Sequence, residues 1–177
     1  MKILATLFAS AVFCCVPALS QDAAVAAATA ACGPATDHLK VSAENAKGLL
    51  SQPEPGKALV YVIEDDGIIN NIIGGGITWR VGVDGTWVGG INRHSPYTSF
   101  SLTPGEHHLC VNWQSSLKYR AKATNLAVLK AEADKTYYYR LRKWDTQIAV
   151  YVDLLPVDSD QGKLLIALQP ATSAEDK

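Results

Sequence analysis

Two alternating runs on either side of an Asp-Gly pair constrain this chain more than any other feature in it. The stretch reads Trp79-Arg80-Val81-Gly82-Val83-Asp84-Gly85-Thr86-Trp87-Val88-Gly89. Asp-Gly accepts the positive φ angles of a type I′ turn, whose twist matches paired strands, so it predicts a two-residue hairpin. That register sets Val83 opposite Thr86, Gly82 opposite Trp87 and Val81 opposite Val88. Cross-strand partners share a face, so Trp79, Val81, Val83 and Val88 form an apolar side. Arg80 and Gly82 lie on the other side, with the Trp87 ring over the Gly82 backbone. A lone hairpin is marginal in water, so the rest of the chain must add sheet to it.

The chain does so in order. Ala58-Leu59-Val60-Tyr61-Val62-Ile63 is a continuous apolar run with β-branched residues, suited to a central strand buried on both faces. Ahead of it Gln52 to Lys57 has turn chemistry, and His38 to Ser42 alternates weakly, as an edge strand would. Ile68 to Ile77, broken by Asn70-Asn71 and Gly74-Gly75-Gly76, reads as a loop. Tyr97 to Leu102 is a strand, Thr103-Pro104-Gly105 a tight turn, and Glu106 to Trp113 a second strand. In that second strand His107, Leu109, Val111 and Trp113 share one face, with Glu106, His108, Cys110 and Asn112 on the other. Leu117 to Lys122, Leu126 to Ala131, Thr136 to Arg142 and Ile148 to Asp153 supply further strands. Asp158 is placed to cap a helix over Gln161 to Leu168, with Leu164, Leu165 and Leu168 facing inward. Many short strands with Pro/Gly turns predict an antiparallel β-sandwich of about seven to nine strands with one short C-terminal helix.

The termini set the compartment. Met1-Lys2, the apolar run Ile3 to Leu19 and the small-x-small site Ala18-Leu19-Ser20 form a secretory signal peptide over residues 1–20. The run is short for a bilayer span and contains Pro17, and no later segment is apolar enough for one, so no transmembrane segment is expected after signal cleavage. Phe13 before Cys14 is too bulky for the small residue a lipoprotein site wants. Residues 21–52 are an Ala-rich leader and N-terminal segment, 53–170 the sandwich, and 171–177 a polar tail. Cleavage leaves Cys32 and Cys110, an even pair that reads as a disulfide in an exported, periplasmic or extracellular chain. Because Cys110 points away from the Leu109 face, the Cys32 segment is expected to lie over the outside of that sheet. With Lys+Arg 16 against Asp+Glu 17 the chain is nearly neutral, which gives no reason to expect a nucleic-acid partner.

Four pieces recur in a known order: Pro55-Gly56-Lys57-Ala58 entering a strand, Val83-Asp84-Gly85-Thr86-Trp87-Val88-Gly89, Thr103-Pro104-Gly105-Glu106-His107, and Ala131-Glu132-Ala133-Asp134-Lys135-Thr136-Tyr137-Tyr138-Tyr139. Over roughly Pro53 to Leu168 the chain resembles the bacterial domain-of-unknown-function family numbered twenty-eight forty-six. Asp134 departs from that family's usual Gly at the turn, a place Asp tolerates. Cys32-Gly33-Pro34 with Cys110-Val111-Asn112-Trp113 resembles an acidobacterial exported subgroup. The resemblance implies an exported or lipid-anchored β-sandwich of the transthyretin or carboxypeptidase-regulatory kind, and brings no catalytic residues.

Chemistry is sparse. Neighbours in a strand face opposite ways, so His107 and His108 cannot share an ion. A metal site would need His94, Glu106 and His108 together. No Gly-x-Ser-x-Gly elbow or phosphate loop is present, and no cofactor is implied. Tyr138, Arg140 and Arg142 share a strand face, as Arg80 and Trp87 do on the hairpin. If adjacent and exposed, these faces form a ligand surface that stacks on sugar rings and binds carboxylates. The expectation is therefore a non-enzymatic binding or structural domain of the cell envelope, its partner an envelope protein or glycan. The alternatives are a carbohydrate- or peptidoglycan-binding module, or a small metal-dependent hydrolase.

Overall fold

The computed structural model describes residues 30–41, 50–65, 77–115, 123–145 and 150–169. The signal segment, most of the Ala-rich leader, the Ile68 to Ile77 loop save its last residue, the Leu117 to Lys122 strand and the tail lie outside the described residues. Eight strands and a helix follow in the order β1 (Ala58–Glu64), β2 (Thr78–Val83), β3 (Thr86–Ile91), β4 (Tyr97–Leu102), β5 (Gly105–Gln114), β6 (Thr124–Ala131), β7 (Thr136–Asp145), β8 (Val150–Val157) and α1 (Ser159–Ala167). They form a β-sandwich of two four-stranded sheets, β4-β1-β7-β8 and β3-β2-β5-β6.

Every described strand pairing is antiparallel except one: β1 runs parallel to β7. Hairpin-joined strands must be antiparallel, whereas β7 enters beside β1 from β6 in the other sheet and is free of that rule. Between the sheets lie Val60, Val62, Trp79, Val81, Ile91, Leu109, Val111, Leu141 and Leu154, all buried. The Trp79 and Trp113 rings meet there at 5.6 Å.

β1 is buried along its whole length because the first sheet is covered on both faces. Leu59, Tyr61 and Ile63 point outward and join Tyr97, Tyr138 and Leu165 in a second cluster beneath α1. Tyr61 stacks on Tyr138 with ring centroids 5.4 Å apart. Asp158 caps α1 as expected, its Oδ1 accepting from Gln161 N at 2.8 Å. The helix faces are not as expected. Leu165 is buried, but Leu164 and Leu168 are 57% and 69% exposed. The inward line is Gly162, Leu165, Ile166 and Gln169, because the bare Cα of Gly162 lets the helix settle against the Tyr138 ring. A close-seated helix buries a narrow line rather than a leucine stripe.

The hairpin forms at the expected place, with Asp84 and Gly85 at φ 48° and 86°. Val83 pairs with Thr86 and Gly82 with Trp87, and the Trp87 ring lies over Gly82. Beyond that the register slips: Val81 pairs with Gly89, not Val88, and Trp79 pairs with Ile91. Val88 is the extra residue of a β-bulge and is exposed, while Ile91 takes the buried position expected of it. The bulge turns β3 so that Gly89 meets Thr98 of β4, where a side chain would not fit.

The N-terminal segment crosses the outside of the second sheet, as the outward Cys110 implied. The Cys32–Cys110 disulfide pins it, with Cα atoms 5.2 Å apart. The weak alternation at His38 to Ser42 makes no strand in its described part. Its main chain is held by side chains instead: Gln114 Oε1 accepts from Leu39 N at 2.7 Å, and Gln114 Nε2 donates to Leu39 O at 3.1 Å. With these groups already bonded, the segment lies across the sheet as a strap.

Candidate functional site

The two halves of the surface suggested by the sequence lie on opposite outer faces of the sandwich. Arg80 and Trp87 belong to the second sheet, under the strap; Tyr138, Arg140 and Arg142 belong to the first. Tyr138 is covered by α1 and does not reach solvent as a platform. The metal candidates also stay apart. His94 sits in the β3–β4 turn, where Arg93 Nε donates to its Nε2 at 2.7 Å. Glu106 and His108 lie on β5. Among the described residues no three His, Cys, Asp or Glu side chains gather around one point that could hold an ion.

His107 and Asp84 form a contact that looks catalytic and is structural. His107 Nδ1 meets Asp84 Oδ2 at 2.7 Å, and His107 Nε2 meets the Thr103 carbonyl at 2.8 Å. Both partners are acceptors, so both ring nitrogens are best occupied as donors, which favours the imidazolium and leaves no nitrogen to take a proton from a substrate. Burial pulls the His107 pKa down, but the Asp84 contact, the Thr103 carbonyl and the Asp84 charge together raise it above 6.5. Burial likewise raises Asp84, but the His108 N–H and the two histidines bring it below 3.8. The raised histidine contributes stability below 6.5 and loses it as pH climbs through its folded value. The depressed aspartate contributes above 3.8 and loses it as pH falls through its folded value. The latch is therefore strongest between those limits. In an NMR titration His107 should titrate above 6.5, and Asp84→Asn should bring it down; a midpoint at or below 6.5 in the unaltered protein would show the latch absent.

Arg80, on the second sheet's outer face, is only 6% exposed. Its Nη1 donates to Ala35 O at 3.2 Å and Asp37 O at 2.7 Å, and its Nη2 donates to Asn112 Oδ1. The Trp87 ring centroid lies 4.4 Å from the guanidinium carbon, and Trp87 Nε1 donates to Pro34 O at 2.9 Å. Asn112 Nδ2 in turn donates to Thr124 Oγ1 at 2.8 Å. Burial lowers the Arg80 pKa, an effect Asp37 opposes, and the group stays charged because arginine does not lose its proton in proteins. Beside it, between strap and sheet, is a hollow of about 320 Å³ whose walls include Cys32, Gly33, Arg80, Trp87, Gln114 and Thr124.

On the opposite face the β7–β8 ribbon presents what the sequence reading missed. Trp144 stands directly opposite Tyr151, and they are 46% and 50% exposed. The next outward pair is Arg142 with Asp153, and then Arg140 with Leu155. Arg140 lies 3.6 Å from Asp65. Continuing the outward alternation Tyr138, Arg140, Arg142 by one step would have found Trp144. No protein-family model and no curated protein matches the chain.

Proposed function

We propose that this chain is a non-enzymatic binding domain of the exported compartment, and that its ligand is a glycan held on the outer face of the β7–β8 ribbon. The observation that carries the reading is the half-exposed Trp144–Tyr151 cross-strand pair, with Arg142 and Asp153 as the next pair along. Rigid aromatic rings on paired strands suit the apolar faces of sugar rings, and the adjoining guanidinium and carboxylate suit their hydroxyls. Arg142 stands opposite Asp153 across the strands and Arg140 forms an ion pair with Asp65, so the charges balance and the patch is close to neutral, which favours an uncharged sugar face over a polyanion. The disulfide fits an oxidising compartment outside the cytoplasm. The ordered motifs shared with the resembled family carry the same expectation of an exported sandwich.

The test is retention of the mature protein on insoluble peptidoglycan and on a panel of neutral polysaccharides. Retention on at least one is expected, weakened about tenfold by Trp144→Ala, the loss of one aromatic contact of about 1.4 kcal/mol. Trp87→Ala should leave it unchanged. No retention on any matrix, or retention indifferent to both Trp144→Ala and Tyr151→Ala, overturns the reading.

A further inference from the structure

A second site lies across the molecule from the ribbon and is independent of the glycan reading. We infer that the hollow beside Arg80 is a binding site for a small monocarboxylate with an apolar body.

The guanidinium has five N–H groups. Two from Nη1 go to Ala35 O and Asp37 O and one from Nη2 goes to Asn112, which leaves Nε–H and the second Nη2–H. Nε has no hydrogen-bond partner although it is buried. An unpaired N–H on a buried cation is costly, so the site is poised for an acceptor. Nε and Nη2 share one edge of the guanidinium plane, the edge that receives a carboxylate side-on. Nε is shut off from bulk water and the Trp87 ring lies over the guanidinium, so a carboxylate entering from the hollow shifts that indole as it docks.

Charge and size select the class. Arg80 is the lysine- or arginine-type charge in the wall, and Asp37 already offsets part of it. One cation balances one carboxylate, whereas a phosphate dianion would bring uncompensated charge into a partly desolvated place. Cys32, Gly33, Ala35 and the Trp87 ring supply an apolar side to the wall, and His38, Asn112, Gln114, Ser115 and Thr124 a polar one. A volume of about 320 Å³ admits a ligand with a single ring or a short chain.

Benzoate, benzamide and inorganic phosphate are the probes, read by calorimetry and by tryptophan emission on the full chain. Benzoate should bind saturably, with benzamide at least about tenfold weaker because it carries no charge, and phosphate at least about tenfold weaker because it lacks an apolar body and its dianion brings excess charge. Its binding should change tryptophan emission, and Trp87→Phe should remove that change. Asp37→Asn, at an exposed position, should tighten benzoate by removing the competing charge. The comparison of acid with amide needs no altered protein and so stands whatever the variants do to folding. Equal affinity for benzoate and benzamide overturns the inference, as does absence of benzoate binding.

Discussion

Removing the Cys32–Cys110 disulfide should lower stability by about 4–5 kcal/mol while leaving the sandwich folded. The two cysteines are 78 residues apart in sequence, so the bond closes a long loop in the unfolded chain and removes much of its freedom. The figure is that loop-closure entropy. It is an upper value, because part of the denatured chain is compact in any case. The folded side changes less. Arg80, Trp87 and Gln114 still hold the strap through its main chain after the bond is gone. The paired replacement Cys32→Ala/Cys110→Ala is the cleanest form, since Cys110 is fully buried and Ala leaves only a small space there. Urea unfolding should show a lower midpoint and a steeper denaturant dependence, because the untethered unfolded chain exposes more surface. The melting temperature should fall by roughly 8–20 °C. An unchanged midpoint would mean that the unfolded chain was already closed by other means, so that the bond removes none of its freedom.

Much of the fold was legible because strand alternation and turn chemistry are local. Asp84-Gly85 set the hairpin, and the outward side chain of Cys110 placed the strap on the correct face before any topology was known. Legibility ended where an element depends on what lies across from it. Nothing in the order Trp87-Val88-Gly89 says that one residue will be extruded; β3 has to turn toward β4, and Gly89 against Thr98 decides that. The two halves of the expected ligand surface fall on different sheets for a similar reason. Alternation correctly put Tyr138, Arg140 and Arg142 on one face and Arg80 with Trp87 on another. Whether those faces adjoin depends on the non-local β1–β7 pairing that fixes the first sheet. Trp144 and Tyr151 are opposite one another only through the β7–β8 register, and the strand limits expected from the sequence stopped short of Trp144. The Arg80 hollow could not be read at all, since it exists between a sheet and a strap that has no regular structure.

Gly162→Ala should destabilise the protein by about 1–3 kcal/mol, the reverse of what helix propensity predicts. In an exposed helix interior, replacing Gly by Ala gains about 1 kcal/mol, because it restricts the unfolded chain and improves the helix. Here a Cβ at Gly162 would overlap the Tyr138 ring. Tyr138 cannot retreat easily, because it stacks on Tyr61, which is itself buried in the same cluster. The helix must then lift, and what it uncovers is the outer side of β1: Leu59, Tyr61 and Ile63 with Leu165. Gly162→Val should cost more than Gly162→Ala, and the loss should appear first as faster hydrogen exchange and easier proteolysis within α1 while the inter-sheet core stays protected. Lys163→Ala, one residue on and exposed, should have little effect on the same measurements. Tyr138→Ala combined with Gly162→Ala separates the two causes, because a clash relieved by removing the ring gives a double variant more stable than the sum of the single losses predicts. Should Gly162→Ala instead raise the unfolding midpoint, α1 would sit farther from β7 than its contact with Tyr138 requires, and its propensity would outweigh its packing.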